Sequence, residues 1–214
     1  MKKTRVLLAD DHKIVLEGLR GILEGEFDLV GTVEDGRALV VEAKRLKPDV
    51  IVADVSMPLL NGIEAAQQIK KSTPQAKVIF LTMHPDVGYA TRALEAGASG
   101  YVLKHSAPSE LVQAIREALQ GRVYVTPMIA KDVLQSFMDG TVGIRRAHLD
   151  LTPRQREVLQ LVGEGHSAKE IAKILNISTR TVEFHKYRIM DDLNLRTNAE
   201  LIQYAVKHGI VSTD

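Results

Sequence analysis

Over its first 120 residues the chain switches back and forth between two apolar periods, and no other feature limits its fold so strongly. Short β-rich runs stand at Val6-Leu7-Leu8-Ala9, Leu29-Val30-Gly31-Thr32-Val33, Val50-Ile51-Val52-Ala53, Val78-Ile79-Phe80-Leu81 and Tyr101-Val102-Leu103. Between them lie stretches of helical spacing, with apolar residues at Ile14, Leu16, Leu19, Ile22 and Leu23, at Leu39, Val40, Ala43 and Leu46, at Ile63, Ala66 and Ile69, and at Leu111, Val112, Ile115 and Leu119. Short apolar runs bounded by turn residues mark buried strands, and 3.6-residue spacing marks helices that cover them. Five strands alternating with five helices predict an α/β doubly wound, five-stranded parallel sheet with right-handed crossovers.

The alternation stops at Gly121. Residues 122–147 read as a linker with one short helix, Ile129 to Met138, opened by Pro127 and followed by Asp139-Gly140-Thr141-Val142-Gly143 and the pair Arg145-Arg146. From 148 to 214 the period is helical throughout, with helices expected at roughly 153–163, 167–175, 179–193 and 197–207. Thr152-Pro153-Arg154-Gln155 fits a capping box, with Thr at the N-cap, Pro at N1 and Gln at N3. The expected organisation is therefore a domain over 1–121, a linker over 122–147 and an all-α domain over 148–214.

Hydrophobic residues make up 45% of the 214, enough to bury a core. No stretch approaches the ~18 apolar residues of a membrane span. The start, MKKTRVLLADDHK, has too short an apolar run for a secretory signal and reads as a first strand. The chain has no cysteine, which excludes disulfides and thiolate metal sites and agrees with a cytoplasmic location. A net charge of +1 is too small for bulk attraction to nucleic acid, so any such binding must rest on local placement, as in 154–188 with its 7 basic and 4 acidic residues.

The strand assignments bring certain polar residues to one place. Asp10 and Asp11 follow the first strand, Asp54 the third, Thr82 the fourth and Lys104 the fifth. The C-terminal edge of an open parallel sheet is where ligands bind. Three carboxylates held together there repel: at 4 Å and an effective dielectric near 20, each pair costs about 4 kcal/mol. They must take up a proton or share a cation. A hard divalent ion with oxygen ligands suits them, and Mg²⁺ suits phosphate chemistry. Lys104 and Thr82 are then placed to hold phosphoryl oxygens, and Asp54 to act as a nucleophile. Taken singly, each residue has a plainer role: an aspartate after a strand caps a turn or helix, and a lysine there is solvated. The specificity lies in all five meeting at one edge.

VLLADDH, VIVADVSMP, VIFLTMH and GYVLKHS together resemble the receiver domain of two-component response regulators, over residues 4–120. The resemblance implies a flavodoxin-like fold and a phosphoacceptor at Asp54, charged by a sensor histidine kinase. It further implies Mg²⁺ bound by Asp11, Asp54 and the Ser56 carbonyl, with Asp10 nearby through water. Lys104 is implied to contact the phosphoryl group, Thr82 to swing toward it and Tyr101 to follow as an aromatic switch. His105 and Met83 depart from the residues common in the family, and Ser56 and His84 stand where it tunes dephosphorylation.

In the C-terminal part, HSAKEIAKILNISTRTVEFHKYRIMDD has helix-turn-helix spacing, with the turn at Asn176-Ile177-Ser178. On the second helix Val182, Ile189 and Leu193 share one side with His185 at its margin, while Arg180, Phe184, Tyr187 and Asp191 lie opposite. Phe184 and Tyr187 either pack on a neighbour or meet a thymine methyl in a groove. Arg180, Thr181, Lys186 and Arg188 suit phosphates, and Glu183 either accepts from a cytosine amino group or is solvated. The stretch from LTPRQREVL to DDLNL resembles the four-helix DNA-binding domain of the NarL/FixJ (LuxR-type) regulators. Gln155 stands where that family usually has Glu, Ala168 where Asn is common, and Glu183 and Tyr187 where some members have base-reading lysines.

The combined expectation is a phosphorylation-dependent transcriptional regulator that is not itself an enzyme. It binds double-stranded DNA, forms a homodimer on phosphorylation and has RNA polymerase as a further partner. Its signal is expected to leave through the face of the fourth helix, fifth strand and fifth helix, or through the linker. Two rivals stand beside it. One is a free-standing phosphohydrolase, opposed by Ser56 where a general acid would sit two residues after Asp54 and by the lack of a cap segment. The other is a protein- or RNA-binding output for the C-terminal helices.

Overall fold

The computed structural model of the protein describes residues 3–106, 108–139 and 151–211. The expected glycine-bearing stretch from Gly140 and the pair Arg145-Arg146 lie outside the described residues.

The N-terminal part is β1 (Arg5–Ala9), α1 (Lys13–Leu23), β2 (Asp28–Val33), α2 (Gly36–Leu46), β3 (Val50–Ala53), α3 (Gly62–Ser72), β4 (Lys77–Thr82), α4 (Val87–Glu95), β5 (Gly100–Leu103) and α5 (Pro108–Leu119). The five strands pair in parallel in the order β2-β1-β3-β4-β5. Alternation along the strands sends their residues to two cores. Leu7, Ile51, Ala53, Phe80 and Tyr101 pack under α2, α3 and α4. Val6, Leu8, Val50, Val52, Ile79 and Val102 pack under α1 and α5. Both faces of the sheet are covered, as buried strands with near-continuous apolar runs require.

A sixth strand, absent from the sequence-based expectation, extends the sheet. β6 (Tyr124–Val125) pairs in parallel with β5. Two residues are too few for a periodic signal. Its place is fixed by partners instead: Thr126 N–H donates to the Tyr101 carbonyl at 3.0 Å, and the Thr126 hydroxyl accepts from Leu103 N–H at 3.2 Å. α6 (Pro127–Met138) follows and buries Ile129 and Val133 in the core shared with Ala90 and Ala93 of α4. Residues 124–138 are thus packed on the N-terminal domain.

The C-terminal part is four helices, α7 (Pro153–Gly163), α8 (Ala168–Leu175), α9 (Thr179–Asp192) and α10 (Asn198–Lys207). Leu151, Val158, Leu159, Leu161, Ile171, Val182, Ile189, Leu201 and Ile210 form their core. The capping box forms at α7: Gln155 N–H donates to the Thr152 hydroxyl at 3.2 Å, and Thr152 N–H donates to Gln155 Oε1 at 2.7 Å. α8 has a second one, between Ser167 and Glu170.

The two parts dock on each other through α7. Gln160, 2% exposed, donates from Nε2 to the Met57 carbonyl at 2.9 Å and accepts from Asn61 N–H at 2.8 Å. Both Glu164 oxygens accept from Leu59 N–H, at 3.1 and 3.2 Å. Glu157 accepts from Gln68 and pairs with Arg37, and Arg156 pairs with the buried Glu64 at 2.6 Å. Leu59 itself packs against the C-terminal core with a left-handed backbone, φ 66°. That conformation costs a non-glycine residue about 1–2 kcal/mol, and the contacts from Glu164 and the core hold it there. The docking surface is thus the β3–α3 loop with α2 and α3, and it includes α4, whose Tyr89 hydroxyl lies against Gly209.

Candidate functional site

The C-terminal edge of the sheet collects the acidic residues as the sequence predicts. Ligand atoms of Asp10, Asp11, His12 and Asp54 lie within 4.8 Å of one another. Asp10 and Asp54 are buried, at 1% and 5% exposure. β1 ends at Ala9 and β3 at Ala53, adjacent parallel strands in register, so Asp10 and Asp54 emerge side by side. Asp54 N–H donates to the Ala9 carbonyl at 2.8 Å, which fixes the backbone under the carboxylate. Gly62, at the start of α3, closes against it: a Cβ there would lie 2.0 Å from the Asp54 carbonyl oxygen. Only glycine allows the helix to start so near the strand end.

Lys104 Nζ lies 2.7 Å from Asp10 Oδ2 and 2.5 Å from Asp54 Oδ2. Burial pushes the Asp54 carboxyl up, and the Lys104 ammonium and the Ser56 N–H partly counter it. Burial alone would lower Lys104; the Asp54 and Asp10 carboxylates outweigh it and keep the ammonium charged. His12 Nδ1 stands 3.0 Å from Asp11 Oδ1, and the Asp11 carboxylate chiefly raises its pKa. Asp11 Oδ1 has that ion pair but no hydrogen bond of regular geometry. An oxygen-rich, partly unsatisfied carboxylate set fits a hard divalent cation, and Asp10, Asp11 and Asp54 are the side chains that would hold one.

Thr82 and Tyr101 are both fully buried. The Tyr101 hydroxyl donates to the His84 carbonyl at 2.8 Å, and burial raises its pKa. His84 N–H donates to the Thr82 hydroxyl at 3.3 Å, so Thr82 and Tyr101 meet at the backbone of His84. Ser56 N–H donates to Asp54 Oδ1 at 3.3 Å, while its hydroxyl bonds His84 Nε2 at 2.9 Å. The sequence placed His84 near the site without its neighbour: its ring stacks on Tyr89, centroids 4.7 Å apart and planes 11° apart.

On α9, Val182 and Ile189 are fully buried, and Phe184 and Tyr187 are 60% and 66% exposed. Arg180 and Arg188 are exposed as well. Phe184 touches the His185 ring edge-on, with centroids 5.8 Å apart, and His185 is depressed by burial and then by Arg154. Thr181 is drawn into the cap, its hydroxyl 2.8 Å from that of Ser178. Lys186 is less free than a surface lysine, since it pairs with Glu183 at 3.1 Å. Sequence reasoning missed the polar contacts of α7. Arg156, Glu157, Gln160 and Glu164 recur at helical spacing, which was a signal, but a polar stripe ordinarily faces water. No described helix is long and apolar enough to cross a membrane.

Comparison with known proteins finds a family for each part of the chain. Residues 6–116 match the response regulator receiver domain family, and residues 149–205 match the bacterial regulatory proteins of the luxR family. The transcriptional regulatory protein MctR of Rhizobium johnstonii is 36% identical over 98% of this chain and 96% of its own. The oxygen regulatory protein NreC of Staphylococcus carnosus is 35% identical, over 97% and 99%. Among solved structures, RcsB of Salmonella enterica serovar Typhimurium, bound to promoter P1flhDC in the presence of phosphomimetic BeF3-, aligns with a TM-score of 0.64 at 33% identity, over 96% of this chain and all of that one. The chain belongs to the NarL/FixJ family of two-component response regulators, DNA-binding transcriptional regulators that join a receiver domain to a LuxR-type helix-turn-helix domain.

Proposed function

We propose that Asp54 is the phosphoacceptor of this regulator and that a sensor histidine kinase is the donor. The observation that carries this is the convergence of Asp10, Asp11 and Asp54 within 4.8 Å, with Lys104 bridging Asp10 and Asp54. An Asp54 oxygen bonds to phosphorus as the phosphorus–nitrogen bond to the kinase histidine breaks, and that histidine regains a proton. Lys104 offers its charge to the incoming oxygens, and Thr82 its hydroxyl. Asp10, Asp11, Asp54 and the Ser56 carbonyl would hold Mg²⁺, which when bound offsets the charge of the phosphoryl oxygens.

The new charge then acts through Thr82 and Tyr101, which meet at His84. Phosphorylation biases the balance between docked and undocked domains and favours a homodimer. Exposed Arg180 and Arg188 hold backbone phosphates, with Thr181 and Lys186 at the margin. Phe184, Tyr187 and Glu183 face the bases. Cytoplasmic residence and contact with RNA polymerase complete the reading. Transfer of label from a small phosphodonor tests it. Label should enter the wild type and Asp28→Asn and vanish in Asp54→Asn; full labelling of Asp54→Asn would sink it.

A further inference from the structure

The contacts around His84 continue past the acidic pocket. Ser56 borders the Asp54 carboxylate through its N–H at 3.3 Å, and its hydroxyl is held by His84 Nε2 at 2.9 Å. His84 is stacked flat on Tyr89. Tyr89 in turn reaches the other domain: its hydroxyl fills the space beside Gly209, where a Cβ would lie 1.2 Å from the phenol oxygen. Gly209 sits in the turn after α10, with φ +60°. An unbroken series of contacts, Asp54–Ser56–His84–Tyr89–Gly209, therefore joins the pocket to the C-terminal domain. It is separate from the clamp of Gln160 and Glu164 on the β3–α3 loop.

We propose that Tyr89 and His84 are positioning residues through which the docked DNA-binding domain prolongs the life of the phosphoryl group on Asp54. The proposal rests on Asp54 being the phosphoacceptor. Loss of the group is hydrolysis: a water oxygen bonds to phosphorus, the bond to the Asp54 oxygen breaks, and Asp54 departs as carboxylate. The products are inorganic phosphate and a proton released to solvent. The water must approach opposite the departing oxygen, so a side chain fixed beside the carboxylate governs its access. Docked, Gly209 holds Tyr89, Tyr89 holds the His84 ring, and His84 holds the Ser56 hydroxyl as a wall. Undocked, Tyr89 loses its support, the ring turns and water enters.

The test follows aspartyl phosphate decay in the full-length protein after charging with acetyl phosphate and Mg²⁺ and removal of the donor. Tyr89→Leu removes the stack whatever the domains do, and Tyr89→Phe keeps it. Gln160→Ala with Glu164→Ala weakens docking at a distance, and Gly209→Ala does so at Tyr89; small-angle scattering reports which of them are extended. Tyr89→Leu, His84→Asn and the extended variants should each shorten the half-life at least about threefold, and extension should add nothing once His84 is Asn. Tyr89→Phe keeps the ring on His84 and its edge carbons against Gly209, and should stay near wild type. The His84 ring-proton resonances should lose their ring-current shift in Tyr89→Leu and in the extended variants. A wild-type half-life in Tyr89→Leu overturns the proposal, as does an equal effect of extension with and without His84. If wild type takes no label, or Asp54→Asn takes it, the reading of Asp54 fails instead.

Discussion

The acidic pocket and the outer face of α9 are built by opposite means. In the pocket Asp10 and Asp54 are all but sealed from solvent and share one ammonium, and the backbone beneath Asp54 is pinned to β1. On α9, Phe184, Tyr187, Arg180 and Arg188 stand in water. A site that does chemistry must be held in place before the reactant arrives. A surface that reads a polyanion can leave its side chains loose, because its affinity is a sum of many small contacts. Single changes should therefore be severe in the pocket and graded on the helix.

The largest expected effect comes from removing the charge the pocket shares. Lys104→Met leaves two buried carboxylates facing each other without their cation, and breaking a buried pair costs about 3 kcal/mol. Urea unfolding at neutral pH should show that loss, and it should shrink in the double variant Lys104→Met with Asp54→Asn. An unchanged midpoint would mean the pocket is no more pre-organised than the helix face. Next in size is the helix itself. Arg180→Ala with Lys186→Ala should weaken duplex-DNA binding at least about tenfold and lower the salt slope by about two. Lys186 has a second part in this, because its loss leaves Glu183 unpaired near the phosphates. Binding indifferent to both residues would favour a protein- or RNA-binding output for this domain.

The two regions also differed in how plainly the sequence displayed them. Val50-Ile51-Val52-Ala53 is buried along its whole length, so its end, and the aspartate after it, were visible as a change in composition. α4 was expected only from its place in the alternation, because its buried residues are Ala90, Thr91 and Ala93, too small and mixed to make an apolar stripe of their own. β6 is two residues long and depends on Thr126 and β5. The α9 faces were legible from Val182 and Ile189, since helical spacing alone separates inside from outside there. What spacing does not show is which polar face meets another domain. Arg156, Glu157, Gln160 and Glu164 look solvated in sequence, and only the docked fold turns them inward. The His84–Tyr89 stack is equally hidden, being five residues apart across the start of a helix.

Gln155 is a smaller test of how α7 supports α9. Besides closing the capping box, its Nε2 donates to Asp192 Oδ2 at 3.1 Å, tying the start of α7 to the end of α9. Gln155→Glu preserves the cap and replaces that donor with a second carboxylate. A buried donor exchanged for a like charge should cost about 1–2 kcal/mol in thermal unfolding of the DNA-binding domain. No loss would mean that Asp192 has another partner ready.

The smallest expected effect concerns the docking surface that joins the two regions. Burial raises the Glu164 carboxyl, and the Gln160 amide, Leu59 N–H, His166 and Arg37 only partly restore it. Docking removes Glu164 from water against Leu59, so the docked state holds the proton more tightly than the undocked one. The sign follows from linkage: this contribution to docking is fully present below the ordinary glutamate pKa of about 4.3 and fades as pH rises through the docked value. Small-angle scattering across pH 5 to 8 should show the wild type opening slightly toward the alkaline end. Glu164→Gln keeps an acceptor for Leu59 and cannot ionise. Its compactness should not vary with pH by way of this residue, and at neutral pH it should dock at least as well as wild type. A pH response identical in the two proteins would place the titrating group elsewhere on the interface and leave the Leu59 contact as a plain hydrogen bond.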